Sequence, residues 1–136
     1  MRLSHDTVRM EILHVWGEQG IEKSLPLMME LLKYGHDNSN VTVIEGVLPA
    51  KEYSDLFDLA TELYGKDIFA WYYDIPFEET LRRHGTKPNR NDFGETEMRR
   101  WWREKDYLPQ IREEIIDSGK SVDEAVEMIC NRVLDA

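Results

Sequence analysis

The chain has 136 residues and a mass of 16.1 kDa, enough for one real hydrophobic core and too short for two ordinary ones. Hydrophobic residues make up 41% and charged residues 32%, a balance that excludes the apolar poverty of a disordered chain. A formal charge of −10 and a pI near 4.8 weigh against a general nucleic-acid coat protein or a basic membrane-surface binder.

In chain order, a first helix is predicted from Asp6 or Thr7, either of which can cap it, with Val8, Ile12, Val15 and Trp16 on one face. Gly17-Glu18-Gln19-Gly20 breaks it. A second helix is predicted from Ser24 or Leu25 to Tyr34, burying Leu25, Met28, Leu31 and Leu32, with Pro26 in its first turn and Gly35 at its end. Val41 to Gly46 is a β-branched run closed by an acid and a glycine, the pattern of a buried parallel strand. A third helix, Ala50 to Tyr64, follows and is capped by Gly65. Ile68 to Ile75 is the strongest strand signal, stopped by Pro76, which opens a helix from Phe77 to His84. Residues 85–92 form a polar loop, and Glu95 to Arg103 is again helical. Ile115-Ile116-Asp117 suits a last short strand. Ser121-Val122-Asp123-Glu124 is a capping box that opens a C-terminal helix with Ala125, Val126, Ile129 and Val133 inside. Short apolar runs alternating with amphipathic stretches predict an α/β layer fold.

Charge is gathered in one place. Between Arg82 and Lys105 stand eight cations: Arg82, Arg83, Lys87, Arg90, Arg99, Arg100, Arg103 and Lys105. Against four acids there, Asp92, Glu95, Glu97 and Glu104, they leave that span at +4 and the rest of the chain at −14. Arginine forks suit phosphate oxygens, so one reading is a lid that closes over phosphates. The other is an exposed helix whose acids pair locally with the arginines.

The single cysteine, Cys130, leaves no internal disulfide framework and no cysteine-based zinc site. His5, His14, His36 and His84 lack metal-ligand spacing, so no metal site is expected. No run approaches the ~20 apolar residues that span a bilayer. The charged N-terminus has no apolar signal core, which predicts a cytoplasmic protein. The segment Gly17 to Ser24 approaches the phosphate-loop pattern G-x-x-x-x-G-K-[ST], but Glu22 stands where the second glycine belongs. Its β-carbon and negative charge would lie beside the phosphates, and the segment reads as a chance match.

Three segments resemble the small P-loop kinases, polynucleotide-kinase-like and zeta-toxin-like phosphotransferases. Leu3 to Arg9 is similar to their strand-to-helix segment with Asp-x-x-Arg, Val43 to Gly46 to their second acidic strand end, and Tyr73 to His84 to their strand followed by a lid helix. The capped C-terminal helix also matches their usual ending. The resemblance implies one α/β domain over residues 1–136, a three-layer P-loop-kinase-like parallel sheet flanked by helices and lacking its first central strand, with residues 82–105 as a lid. It implies ATP and magnesium as cofactors where a nucleotide site is complete, and transfer to a hydroxyl of a small molecule or nucleotide. Asp6 would be the general base, Arg9 would hold the acceptor or its phosphate, and Glu45 would stand near the magnesium or the acceptor. Arg82 and Arg83 would reach the transferring group, with Lys87, Arg90, Arg99 and Arg103 as further lid cations. Without a phosphate loop the kinase is expected to be inactive or incomplete. The alternative is a non-catalytic binding or interaction module that dimerises through the gap left by the missing strand.

Overall fold

The computed structural model describes all 136 residues as a mixed α/β structure with short parallel strand pairs. Its contacts divide the chain into two compact units, Met1–Ile68 with Leu108–Ile111, and Phe69–Tyr107 with Arg112–Ala136.

In the first unit, strand β1 (Arg2–Ser4) runs parallel to β2 (Val43–Glu45), with Leu3 opposite Ile44 and Ser4 opposite Glu45. Parallel pairing needs a long crossover, and here it contains a π-helical segment (Thr7–Ile12) and helix α1 (Glu18–Asn38). Helix α2 (Ser54–Tyr64) follows β2. The core joins Leu3 and Val8 to Met28 and Leu32 of α1, to Tyr53, and to Leu56, Phe57 and Ala60 of α2.

The expected first helix is therefore a wide turn with i→i+5 hydrogen bonding, such as Leu13 N–H to the Val8 carbonyl at 3.0 Å. That turn takes side chains off the 3.6-residue repeat. Of the expected stripe only Val8 is buried, while Ile12 and Trp16 are 55% and 61% exposed. The break falls at Leu13–Gly17, where His14 has φ 53° and Gly17 has φ 67°.

Helix α1 starts seven residues before the expected Leu25 boundary and takes in Gly20 and Pro26. The reason is its buried stripe of Gly20, Ser24, Met28, Leu32 and Gly35, which recurs at helical spacing along its whole length. Proline in a helix interior costs about 3 kcal/mol, which burial of Met28 and Leu32 offsets. Pro26 lies on the exposed face of the helix.

In the second unit, β3 (Ala70–Asp74) pairs in parallel with β4 (Glu113–Asp117), Asp74 opposite Asp117. Between them lie α3 (Phe77–His84) and α4 (Glu95–Trp101), and after them α5 (Val122–Leu134). Pro76 caps α3 as expected. The capping box on α5 is formed: Ser121 Oγ accepts from Glu124 N–H at 3.2 Å, and Glu124 accepts from Ser121 N–H at 2.8 Å. Val126, expected inside, is 53% exposed, because Ala125 is the α5 residue that is fully buried. Ile116 is the buried centre of β4. No helix is long and apolar enough to cross a membrane.

Candidate functional site

The carboxyl ends of parallel strands are the usual place for a ligand in α/β proteins. At the end of β1 the chain passes through His5 and Asp6 into the π-helical segment, and at the end of β2 it passes from Glu45 into Gly46.

Asp6 holds the capping position of that segment, yet its side chain makes no capping hydrogen bond. Ser4 Oγ instead lies 3.4 Å from the Thr7 N–H. The Asp6 carboxylate, 67% exposed, accepts from Arg9 Nη2 at 3.2 Å. One turn of helix places the two side chains on the same face. Arg9 lies across α1, where a β-carbon added at Gly20 would sit 3.0 Å from Arg9 Cδ. That close approach is why a small residue opens the buried stripe of α1. The Arg9 Nε is buried without a hydrogen-bond partner.

Glu45 accepts from Arg2 through Nη2 at 2.9 Å and Nε at 3.2 Å. The Ser4 hydroxyl and then Arg2 hold its carboxyl below the usual carboxylate range. Gly46 turns the chain away with φ 145°, and a β-carbon there would come within 2.6 Å of His5 Cβ. The positive φ and the close approach both require glycine.

His5 is 6% exposed and stands between these acids. Its Nε2 lies 2.5 Å from the Tyr53 hydroxyl, which lies 3.0 Å from Ser24 Oγ. Ser24 in turn bonds the Gly20 carbonyl one turn back along α1. The His5 and Tyr53 rings meet edge to face, their centroids 5.0 Å apart. Burial, and then the Arg9 charge, push the His5 pKa down, against the opposing pull of Asp6 and Glu45. Burial pushes the Tyr53 hydroxyl up.

The first unit therefore brings Asp6 and Arg9 together and ties Glu45 to Arg2 and Ser4. Sequence reading missed His5, Tyr53 and Ser24 as a connected group. A histidine directly before the candidate base was the available signal. Its partners lie 48 and 19 positions further along the chain, where no short motif shows them.

The basic residues belong to the second unit. Glu79 takes both Arg82 nitrogens, at 2.8 and 2.7 Å, together with Arg83 Nε at 2.8 Å. These two arginines, Arg82 first, pull the Glu79 carboxyl down to about 2. Arg83 also donates to the Ser118 carbonyl at 3.0 Å. Arg99 pairs with Glu95 at 2.7 Å and lies 4.3 Å over the Phe77 ring. Arg90 lies within 3.5 Å of the Lys87 carbonyl, and Lys87 and Arg103 are exposed. At the end of β3, Asp74 accepts from Lys105 at 2.8 Å and from the Tyr107 hydroxyl at 3.1 Å. Trp102 packs edge to face on Phe77, and Trp101 on Phe93, so both tryptophans hold the loop and helix.

The approximate phosphate-loop pattern at Gly17–Ser24 is not a loop. It forms the first two turns of α1, with Ser24 buried and committed to Gly20 and Tyr53. These residues do not fit a nucleotide's phosphates, and no group of three or more His, Cys, Asp or Glu side chains is placed to hold a metal ion. No family model, curated protein or solved structure matches the chain.

Proposed function

We propose that the chain is a kinase-like protein, related to ATP-dependent phosphotransferases that act on a hydroxyl of a small molecule or nucleotide. Its acceptor site is the end of the β1–β2 pair. The observation that carries this reading is the Asp6–Arg9 pair at 3.2 Å directly beyond a parallel strand tip, with Glu45 on the neighbouring strand opposite Ser4. Asp6 is exposed enough to meet an acceptor hydroxyl and take its proton. Arg9 neutralises the acceptor's charge, and Glu45 orients its remaining hydroxyls.

The strand pairing supports the same reading. β2 pairs only with β1, and β3 only with β4. Each pair is parallel, as in the sheet that the resemblance implies. Phosphate oxygens compete with Glu79 and Glu95 for the arginines of α3 and α4. No phosphate loop is present in the chain, so transfer from ATP is expected to be absent or incomplete.

Equilibrium dialysis against nucleoside and sugar acceptors, and separately against magnesium–ATP, tests the proposal. Saturable acceptor binding that weakens about tenfold in Asp6→Asn and in Arg9→Ala supports it. Micromolar ATP binding would reveal a surviving nucleotide site. Failure to bind any acceptor or nucleotide ends the kinase reading.

The free edges favour a second reading, a non-catalytic interaction module that forms a homodimer. Val43 on β2 is 49% exposed and Tyr73 on β3 is 57% exposed, both apolar side chains on strands with an unpaired edge. Light scattering that gives one monomer mass across the working concentration range eliminates this reading.

A further inference from the structure

The hydrogen-bond chain behind Asp6 can be assigned proton by proton. A carbonyl has no proton, so Ser24 donates to Gly20. The Ser24 oxygen can then only accept from Tyr53, whose single hydroxyl proton is thereby used. The Tyr53 oxygen is left as an acceptor, and His5 Nε2 must be the donor to it. A neutral His5 is therefore held as the Nε2–H tautomer. Its other nitrogen, Nδ1, carries a lone pair, is buried, and has no hydrogen-bond partner. It lies 4.0 Å from Asp6 Oδ1. That carboxylate oxygen accepts from Arg9 Nη2 at 3.2 Å, and no proton bridges it to His5. The arrangement becomes attractive once one proton enters between them.

We propose that His5 is the proton acceptor behind Asp6, its unprotonated Nδ1 taking from the Asp6 carboxyl the proton that Asp6 removes from an acceptor hydroxyl. The idea rests on the phosphotransferase reading and names a further residue of that site. The balance is simple. The acceptor O–H bond breaks, its electron pair stays on the acceptor oxygen, and the proton goes to Asp6 Oδ1. That O–H bond then breaks as Nδ1–H forms, which restores the carboxylate and leaves an imidazolium beside it. The charged groups that face His5 are Asp6 and Arg9 from its own stretch of chain and Glu45 from β2. Tyr53 and Ser24 face the opposite nitrogen. His5 acts through Asp6 and is a positioning and relay residue, since its Nδ1 is closed to solvent.

Nitrogen-15 spectra of the histidine rings in the full chain test the assignment without any substrate. The expected neutral form is Nε2–H, titrating below the ordinary histidine range. Asp6→Asn moves that titration lower still, since Asp6 opposes the downward shift. His5→Gln is the matched variant, because its amide N–H can replace Nε2–H toward Tyr53 while offering no acceptor at Nδ1. It is expected to keep the thermal midpoint and to remove the histidine step from the pH dependence of acceptor binding. An Nδ1–H tautomer at neutral pH, or a His5 titration unmoved by Asp6→Asn, overturns the relay even if acceptor binding is observed. Expected spectra with no acceptor binding would uphold the His5–Asp6 proton pair and remove the phosphotransferase reading alone.

Discussion

The two units handle polar groups in opposite ways. In the first, His5, Tyr53 and Ser24 are buried and linked in a single hydrogen-bonded line. In the second, Glu79, Arg82, Arg99 and Lys105 form ion pairs on the surface, where solvent screens them. Charge density alone drew attention to the second unit. Yet its exposed pairs are cheap to break and open to exchange, whereas the buried line leaves no slack for a missing partner. A reactive constellation is the more legible where polar atoms are costly to place.

Substitutions at the buried end break this contrast hardest. Gly46→Ala puts a β-carbon against His5 at a positive φ, and urea unfolding is expected to show a loss of about 3 kcal/mol. A loss below the noise of that measurement would mean that the β2 exit is free to move away. Tyr53→Phe keeps the ring and removes the hydroxyl. Stranding His5 Nε2 and Ser24, it is expected to cost about 2 kcal/mol by the same measurement.

Acid titration acts first on His5 and then on the depressed carboxylates, Glu45 of the first unit among them. The His5 pKa is lowered in the fold, so the folded state binds that proton less readily than the unfolded chain. Stability is therefore level above the ordinary histidine value of 6.5 and falls as pH drops below it. The Glu79 carboxyl, held down to about 2 from 4.5, adds stability that is complete above 4.5 and lost between 4.5 and 2. Thermal midpoints across pH should decline in those two stages, and Tyr53→Phe should alter only the first. The smallest effect is expected from Arg82→Ala, which should leave the midpoint within error because Arg83 still pairs with Glu79. A large drop there would show that the α3 ion pairs are structural and not available for exchange.

The sequence made some elements plain for local reasons. Helix α3 was bounded by Pro76 and Gly85, and α5 by the Ser121–Glu124 box, so neighbours within four residues were sufficient. The β1-to-helix passage through Asp6 was visible as a pattern, though not its π-helical form. The length of α1 was hidden because Gly17-Glu18-Gln19-Gly20 read as a break and Pro26 as a first-turn residue. Tertiary burial of Met28 and Leu32 overrode both. The division into two strand pairs, and the line from His5 to Ser24, depend on partners tens of residues apart, for which hydrophobic periodicity carries no signal.

Pro26 has a kinetic consequence. Every peptide bond in the folded chain is trans, the Leu25–Pro26 bond included. In a denatured population about 10–30% of such bonds are cis and revert over tens to hundreds of seconds. Molecules caught in that isomer cannot lay α1 down as one continuous helix, so Ser24 and Met28, on either side of the bond, cannot both reach their places. The other four proline bonds are also trans, so refolding should show a slow phase that a prolyl isomerase accelerates.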